Sequence, residues 1–158
     1  MTALLAVDVG VRTGIAVYGD DGRLRSYRSQ NFGSAARLRR AVPALLDAVP
    51  DLARVVLEGG GPIERIWRAE AEGRGLVVQQ VSAEAWRALF LYAREQRSGP
   101  DAKRAAGELA RRIIDWSGAR RPTSLRHDAA EAIVVGLWGV LSAGWVRALP
   151  PEILRPFG

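Results

Sequence analysis

Residues 4–18 read Leu4-Leu5-Ala6-Val7-Asp8-Val9-Gly10-Val11-Arg12-Thr13-Gly14-Ile15-Ala16-Val17-Tyr18, and this stretch sets the pattern for the rest of the chain. Two apolar runs of strand length, 4–9 and 13–18, are joined by a short turn that contains glycine. An ionised aspartate inside a buried strand costs on the order of several kcal/mol unless a cation or dense hydrogen bonding compensates it. We therefore expect Asp8 to bind a metal. The alternative is that its side chain bonds to the backbone of the turn.

The length and composition bound the class of protein. With 158 residues, 48% of them apolar and 25% charged, we expect residues 1–158 to form one globular domain with a substantial core. The absence of cysteine excludes disulfides, thiol catalysis and cysteine-based zinc sites. The single histidine, His127, cannot build a histidine-rich metal site, so oxygen atoms must supply most ligands of any bound metal.

The chain is strongly basic and takes most of that charge from arginine. Its formal charge is +6 and its sequence pI is about 10.9, with Lys103 as the one lysine among 23 basic residues. Such a surface favours polyanions, of which nucleic acid is the commonest large example. A genomic base bias toward arginine, alanine and glycine is the alternative explanation.

Nothing in the sequence indicates a membrane segment. Asp8 and Arg12 interrupt the first apolar run, so we expect no signal peptide. The longest charge-free apolar stretch, 132–146, has 15 residues, whereas a bilayer span needs roughly 20. We therefore expect a cytoplasmic protein that does not contact membranes.

The apolar periodicity predicts three strands, a helix, a strand, a helix, a strand and three further helical segments. The turn 19–22 joins the second and third strands into an antiparallel meander, because Asp-Gly suits a tight turn. A helical crossover makes the fourth strand parallel to the first, which brings Glu58 to the same edge as Asp8. The order predicts an α/β fold, a ribonuclease H-like five-stranded mixed sheet flanked by helices. The predicted strands are 4–9, 13–18, 23–29, 54–58 and 75–81, and the predicted helices are 34–49, 63–73, a short segment after Ser82, 101–116 and 127–146.

Three local features carry further expectations. Pro43 predicts a kink or a late start of the first helix. The polar connection 94–100 is predicted to be a mobile loop. The tail beyond Pro150 and Pro151 is predicted to be extended.

Two acids open the last predicted helix. Asp128 and Glu131 are three residues apart and so project from the same side of its first turns, although an acid there also suits the helix dipole. With Asp8 and Glu58 they would place a charge of about minus four at one sheet edge, which requires cations. Carboxylate and water oxygens suit Mg²⁺, with Mn²⁺ as a substitute. Two such ions hydrolyse phosphodiesters in many nucleases.

Five segments share a pattern with one family, namely Asp8–Ala16, Val55–Glu58 and His127–Ala132, with Trp86-Arg87 and Lys103–Ala106 between the last two. They resemble the RuvC-type Holliday-junction resolvases of the ribonuclease H-like superfamily, and the resemblance extends from residue 4 to about 145. The resemblance implies that Asp8, Glu58, Asp128 and Glu131 are catalytic metal ligands. It further implies that Lys103 contacts the scissile region and that Arg87 and Arg104 bind the DNA backbone. Members of this family act as homodimers that nick two opposing strands of a four-way junction.

The chain departs from that family at several positions. The turn after Asp8 is one residue shorter, Val9 replaces a proline, and Glu131 replaces an aspartate. The loop Gly59-Gly60-Gly61-Pro62 lacks the aromatic residue that wedges the junction. Trp67 is a candidate for that stacking role or for the core. His127 is expected to contact solvent at the start of its helix, with assistance to a ligand as the alternative.

The resulting prediction is a Mg²⁺-dependent, structure-selective DNA endonuclease. A ribonuclease H-like RNA-processing nuclease and a non-catalytic nucleic-acid-binding module are the alternatives. An actin-like or sugar-kinase fold shares the Asp-x-Gly turn, but it needs a second phosphate loop and a second domain that 158 residues cannot supply.

Overall fold

The structure is a computed structural model that describes residues 1–153. One five-stranded sheet has the order β3-β2-β1-β4-β5, and helices cover both of its faces. A single 3₁₀ turn, Ala93–Gln96, separates α3 from α4. The strands are β1 Ala3–Asp8, β2 Arg12–Gly19, β3 Leu24–Asn31, β4 Leu52–Glu58 and β5 Val77–Val81, and the α-helices are α1 Ala35–Asp47, α2 Gly61–Gly73, α3 Ala83–Phe90, α4 Gly99–Ser117 and α5 His127–Ser142.

The sheet is mixed, as predicted. β1 pairs antiparallel with β2, β2 pairs antiparallel with β3, and β1 pairs parallel with β4. The register sets Asp8 opposite both Gly14 and Glu58, which confirms that the two acids end neighbouring strands at one edge. We call this the carboxylate edge.

Each face of the sheet carries its own core. On one face, α1 and α2 pack over β1, β4 and β5 through residues that include Leu38, Leu46 and Trp67, all of them buried. Trp67 is therefore a core residue, as the alternative interpretation proposed. On the other face, α5 crosses β1 and β2 and is itself covered by α4. The apolar residues of α5 thus serve the core, and they are buried because the helix lies between the sheet and another helix.

Two glycines let α5 approach the sheet closely. A Cβ at Gly14 of β2 would lie 1.8 Å from the backbone oxygen of Asp128, and one at Gly136 of α5 would lie 2.1 Å from the Tyr18 ring. The buried hydroxyl of Tyr18 also donates a hydrogen bond to the carbonyl of Ile133. Main-chain contact at Gly14 therefore fixes the first turn of α5 against the strand beside Asp8.

Several helix ends differ from the prediction. Ser34 caps α1 through the Arg37 N–H, so the helix begins before Pro43 and contains it, and the predicted late start is wrong. The connection 94–100 was predicted to lack regular structure, but it contains most of a 3₁₀ turn and the proline-bearing start of α4. Proline fits a first helical turn because its missing N–H has no partner there.

The last helix is shorter than predicted. α5 ends at Ser142, where Gly144 adopts a φ of 76° and the Trp145 N–H bonds back to the Val140 carbonyl at 3.0 Å. After that reversal, Ile153 is buried in a turn closed by its N–H to the Pro150 carbonyl at 3.0 Å, so residues 151–153 are not extended. The remainder of the predicted extended tail lies outside the described residues. Between residues 1 and 153, no helix is long and apolar enough to cross a membrane.

Candidate metal centre

The carboxylate edge begins with two strand ends. Asp8 closes β1 and Glu58 closes β4, and the Val9 N–H donates to the Glu58 carbonyl at 3.0 Å, which extends the parallel ladder by one step. Below the edge, the buried Thr13 hydroxyl donates to the Gly10 carbonyl at 2.7 Å and fixes the turn after β1. Both carboxylates therefore stand on rigid main chain.

The first turns of α5 supply the remaining acids. The Ser29 hydroxyl of β3 lies 3.4 Å from Asp128 Oδ2, so Asp128 is held between α5 and the outer strand. Glu131 lies one turn further along α5 and is only 9% exposed. The structure thus brings all four sequence-predicted carboxylates to one edge, where Glu58, Asp128 and Glu131 each act electrostatically on Asp8.

Crowding of these acids disfavours their charged forms. Burial, a hydrogen bond to Glu58 and repulsion from Glu131, Glu58 and Asp128 together raise the pKa of Asp8 to about 9, with burial as the largest cause. Burial, followed by repulsion from Glu58, also raises the pKa of Glu131. Without a cation, the edge therefore holds protons at neutral pH.

His127 joins this cluster. One ligand atom from each of Asp8, His127 and Glu131 lies within 4.8 Å of the other two. His127 Nε2 is 3.7 Å from Asp128 Oδ1 and 3.9 Å from Glu131 Oε1. His127 is exposed to solvent at the start of α5, as predicted, and it also lies beside two acids of the edge. Its i, i+4 spacing from Glu131 was the sequence signal that could have placed it on the same helix face.

The three predicted basic residues occupy different settings. Arg87 of α3 points its Nη2 toward Glu131 Oε1 at 3.8 Å, and its buried Nε has no hydrogen-bond partner among the described residues. Lys103 is exposed on α4, and its charge, like those of His127 and Arg87, lowers the pKa of Glu131. Arg104 is 70% exposed and lies 3.7 Å from Asp101 on the same helix. The structure therefore brings Arg87 and Lys103 toward the acids and leaves Arg104 on the surface.

The donor set fits a divalent cation. Four carboxylates and one imidazole line a partly buried edge, and a cation there would remove the repulsion that raises the pKa of Asp8 and Glu131. Carboxylate oxygens suit Mg²⁺ and Mn²⁺, while an imidazole nitrogen favours the transition metal of the two. Asp8, His127 and Glu131 form the tightest group, with Glu58 and Asp128 beside it.

The loop after Glu58 leaves the edge open. Gly59 and Gly61 have φ values of 114° and 82°, which favour glycine, and no atom lies within 4 Å of the position a Gly61 side chain would take. The Gln80 amide donates to the Gly59 carbonyl at 2.6 Å and anchors the loop to β5. The edge is therefore bordered by bare backbone on this side.

A five-stranded mixed sheet of this order, flanked by helices, is the ribonuclease H-like fold that RuvC also has. T. thermophilus RuvC, solved in complex with a Holliday junction substrate, matches with a TM-score of 0.64 and 15% identity over 91% of this chain and 96% of that chain. The yeast mitochondrial Holliday junction resolvase Ydc2 matches with a TM-score of 0.60 and 11% identity over 91% of this chain and 82% of that chain. No protein-family model and no curated protein sequence matches the chain.

Proposed function

We propose that this protein is a metal-dependent, structure-selective DNA endonuclease that resolves four-way junctions, with residues 1–158 acting as one nuclease domain. The observation that carries the proposal is the convergence of four acids on one sheet edge, where the pKa of Asp8 rises to about 9. A buried cluster of this kind is unfavourable for stability alone, since its members repel one another. The fold it shares with two Holliday junction resolvases supports the same function.

Each acid has a distinct position from which to hold a metal. Asp8 and Glu131 stand in the tightest group, and Glu58 and Asp128 flank it from β4 and from the start of α5. Divalent ions bound there would supply a water nucleophile at neutral pH and stabilise the charge that develops on the phosphodiester. We assign Asp8, Glu58, Asp128 and Glu131 as ligands of two Mg²⁺ ions, which Mn²⁺ can replace.

The basic residues complete the assignment. Lys103 is exposed and close enough to Glu131 to lower its pKa, so it would contact the phosphate being cleaved. Arg87 reaches the same carboxylate from α3 and would orient Glu131 while binding an adjacent phosphate. Arg104, the exposed residue that follows Lys103 on α4, would bind the DNA backbone further away. Phosphate contacts of this kind make affinity fall steeply with salt.

Cleavage of a synthetic four-way DNA junction tests the proposal. Duplex, single-stranded DNA and a structured RNA serve as comparison substrates, each assayed in Mg²⁺, Mn²⁺ and EDTA. Wild-type protein should introduce paired nicks into the junction in either metal and none in EDTA. Asp8→Asn should reduce the rate by roughly a thousandfold or more, because it removes the ligand at the centre of the cluster.

The matched control is Asp20→Asn, which removes one carboxylate from an exposed turn far from the edge. Its cleavage rate should equal that of wild type. Junction binding without cleavage in either metal would replace the proposal with a non-catalytic binding module. Cleavage of RNA alone would move the protein to the RNA-processing nucleases.

We also propose that the protein acts as a homodimer. A four-way junction presents two equivalent strands, so symmetric nicking requires two centres related by a two-fold axis. Light scattering during size-exclusion chromatography should give twice the 17.1 kDa chain mass. A protein component of 17.1 kDa, one chain, within the complex with junction DNA would contradict this part of the proposal.

A further inference from the structure

All charged residues in the first half of α1 are arginines. Arg37, Arg39 and Arg40 are exposed on three of its first six positions, and the only acid of the helix, Asp47, is its last residue. Arg65 is exposed on the second turn of α2. None of these four arginines forms an ion pair within residues 1–153. We call them, together with Arg12, the arginine track.

Their lack of partners contrasts with the neighbouring arginines. On α2, Arg68 binds Glu64 at 2.7 Å and Glu72 at 3.2 Å. Just beyond that helix, Arg74 binds Asp47 at 2.5 Å and Glu70 at 3.1 Å. The acids available on this face are therefore already neutralised, and the positive charge of the arginine track is left for an external anion.

A groove runs between the two helices. It has a volume of about 490 Å³ and is lined by Arg39 and Val42 of α1 and by Arg65, Ile66 and Ala69 of α2. Glu70 also lines it, and that carboxylate is held by Arg74. A shallow apolar surface between two free guanidinium groups is shaped to receive a phosphate backbone and its sugars.

The arginine track leads back to the carboxylate edge. α1 follows the end of β3, where Asn31 pairs with Arg12 of β2, and α2 follows Glu58 after the glycine loop. Both helices therefore start at the carboxylate edge. The Arg37 guanidinium lies back over the loop that joins β3 to α1, since a Cβ at Gly33 would be 3.5 Å from its Nη1. The exposed, unpaired Arg12 stands between this loop and Asp8.

From this placement we infer that the arginine track binds the phosphodiester backbone of one DNA arm as that arm leaves the candidate metal centre. The contacts lie on the α1–α2 face of the sheet, whereas Arg87, Lys103 and Arg104 lie on elements that pack against the opposite face. The substrate is thus held on both sides of the sheet. This inference rests on the proposed function in that it takes DNA as the ligand. It does not depend on catalysis, because phosphate binding requires no cleavage.

The arrangement of the positive charges favours nucleic acid over a protein as the partner. The arginine track is a line of like charges that starts at a centre for phosphodiester cleavage, and DNA carries one negative charge for about each 1.7 Å of its axis. α1 has 13 residues. It is therefore about 20 Å long, which matches about six base pairs.

The test compares salt dependence in two triple variants. Arg37→Gln, Arg39→Gln and Arg65→Gln remove three charges of the arginine track. Arg111→Gln, Arg120→Gln and Arg147→Gln remove three exposed charges elsewhere and serve as the matched control. Both sets are made in an Asp8→Asn background so that bound DNA stays intact. Fluorescence anisotropy then gives the Kd for four-way junctions at several KCl concentrations, with arms of about four and about fifteen base pairs.

On long arms, the arginine-track variant should bind at least about tenfold more weakly at low salt. Its slope of log K against log salt should fall by about two to three. On short arms the same variant should lose less affinity relative to its parent, since about four base pairs span about 14 Å and end along the first half of α1. The control variant should lose less affinity and show no dependence on arm length.

Equal losses in the two variants, or an equal loss on short and long arms, would overturn the inference by showing that only overall charge matters. An unchanged slope would overturn it too and would leave the groove to another occupant, such as an acidic protein segment. The proposed function fails separately, if wild-type protein cuts no branched DNA. Arm-length-dependent binding through the arginine track would survive that result.

Discussion

The carboxylate edge and the arginine track both concentrate like charges, but they differ in burial. At the edge, Asp8 and Glu131 are buried beside two further acids, and the pKa of each rises. Along the track, the arginines stand in water, where salt screens charges that lie farther apart than about 10 Å. The difference shows that buried like charges are stable together only with a bound cation or with protons. Exposed like charges are stabilised by water and salt, and they remain available to bind a polyanion.

Substitution of Gly14 should have the largest effect, because this glycine allows α5 to pack against β2 at the carboxylate edge. Gly14→Ala places a Cβ 1.8 Å from the Asp128 carbonyl oxygen, so the first turn of α5 must move away from β2. We expect a loss of about 3 kcal/mol in the free energy of unfolding. Cleavage should fall by about a hundredfold, because ligands displaced by an ångström no longer share a metal. Urea unfolding and the junction assay measure both.

Gly107→Ala is the control for that substitution. Gly107 lies within α4, and no atom is within 4 Å of the position its Cβ would take. Alanine there should stabilise the protein by up to about 1 kcal/mol, since alanine favours helix. If Gly14→Ala were as well tolerated as this control, the close packing of α5 on β2 would not position the centre.

The main features of the fold could be read from local patterns. Alternating strands, an Asp-Gly turn and a crossover helix were enough to predict the sheet and to bring Glu58 beside Asp8. Helix ends were less predictable because they depend on tertiary contact. The predicted end of α5 missed the reversal at Gly144, where Trp145 folds back on the helix.

The acids of the site were predictable, and their surroundings were only partly so. A charged residue at the end of an apolar strand can be recognised from the sequence alone, so Asp8 and Glu58 could be predicted. The direction of Arg87 is not visible, because it depends on the packing of α3 against α5. His127 was expected to contact solvent and is exposed, and its i, i+4 spacing also indicates the side of α5 that carries Glu131, which is 3.9 Å away.

The dependence of stability on pH should be the next largest effect after that of Gly14→Ala, and it arises from protonation of the carboxylate edge. With no metal bound, burial and the neighbouring acids raise the folded-state pKa of Asp8 from its ordinary value of 3.8 to about 9. The stabilisation that goes with this raised pKa is present below pH 3.8 and is lost as the pH rises toward 9. Apo protein should therefore lose stability between pH 5 and pH 9, by at most about 1.4 kcal/mol per pH unit for this one group.

Asp8→Asn should flatten that dependence and raise the Tm in EDTA at pH 8 by roughly 2 to 8 °C. Added Mg²⁺ should stabilise wild-type protein at this pH and have little effect on the variant, because ligand binding to the folded state adds stability. Thermal unfolding by circular dichroism across the pH series measures both effects. A pH-independent Tm for wild type in EDTA would refute the electrostatic account of the edge.

A third effect distinguishes the metals. His127→Ala removes the one nitrogen donor of the cluster and leaves its oxygen donors in place. The variant should need several-fold more Mn²⁺ for half-maximal cleavage, while its requirement for Mg²⁺ should change less, because imidazole suits transition metals better. Metal titrations of the cleavage rate measure this. An equal change for the two metals would mean that His127 lies beside the ions without binding one.

The smallest effect should be found on the exposed side of the comparison. Arg40→Gln removes a solvated, unpaired charge and should change the free energy of unfolding by less than about 0.5 kcal/mol. Urea unfolding at low and high salt measures it. A larger loss would show that the arginine track helps to hold α1 and is not reserved for an external anion.

The contact between Gly14 and Asp128 also determines when the carboxylate edge is completed during folding. It joins the second strand to the last helix, so half of the acids reach their places only when α5 docks on a sheet made from the first part of the chain. Contacts between residues far apart in sequence form slowly during folding. A ribosome-bound chain that has not yet released α5 lacks Asp128, Glu131 and His127 from the edge. The proposed nuclease activity would therefore require α5 to be docked, and the time at which cleavage appears after dilution from urea would report the docking of that one helix.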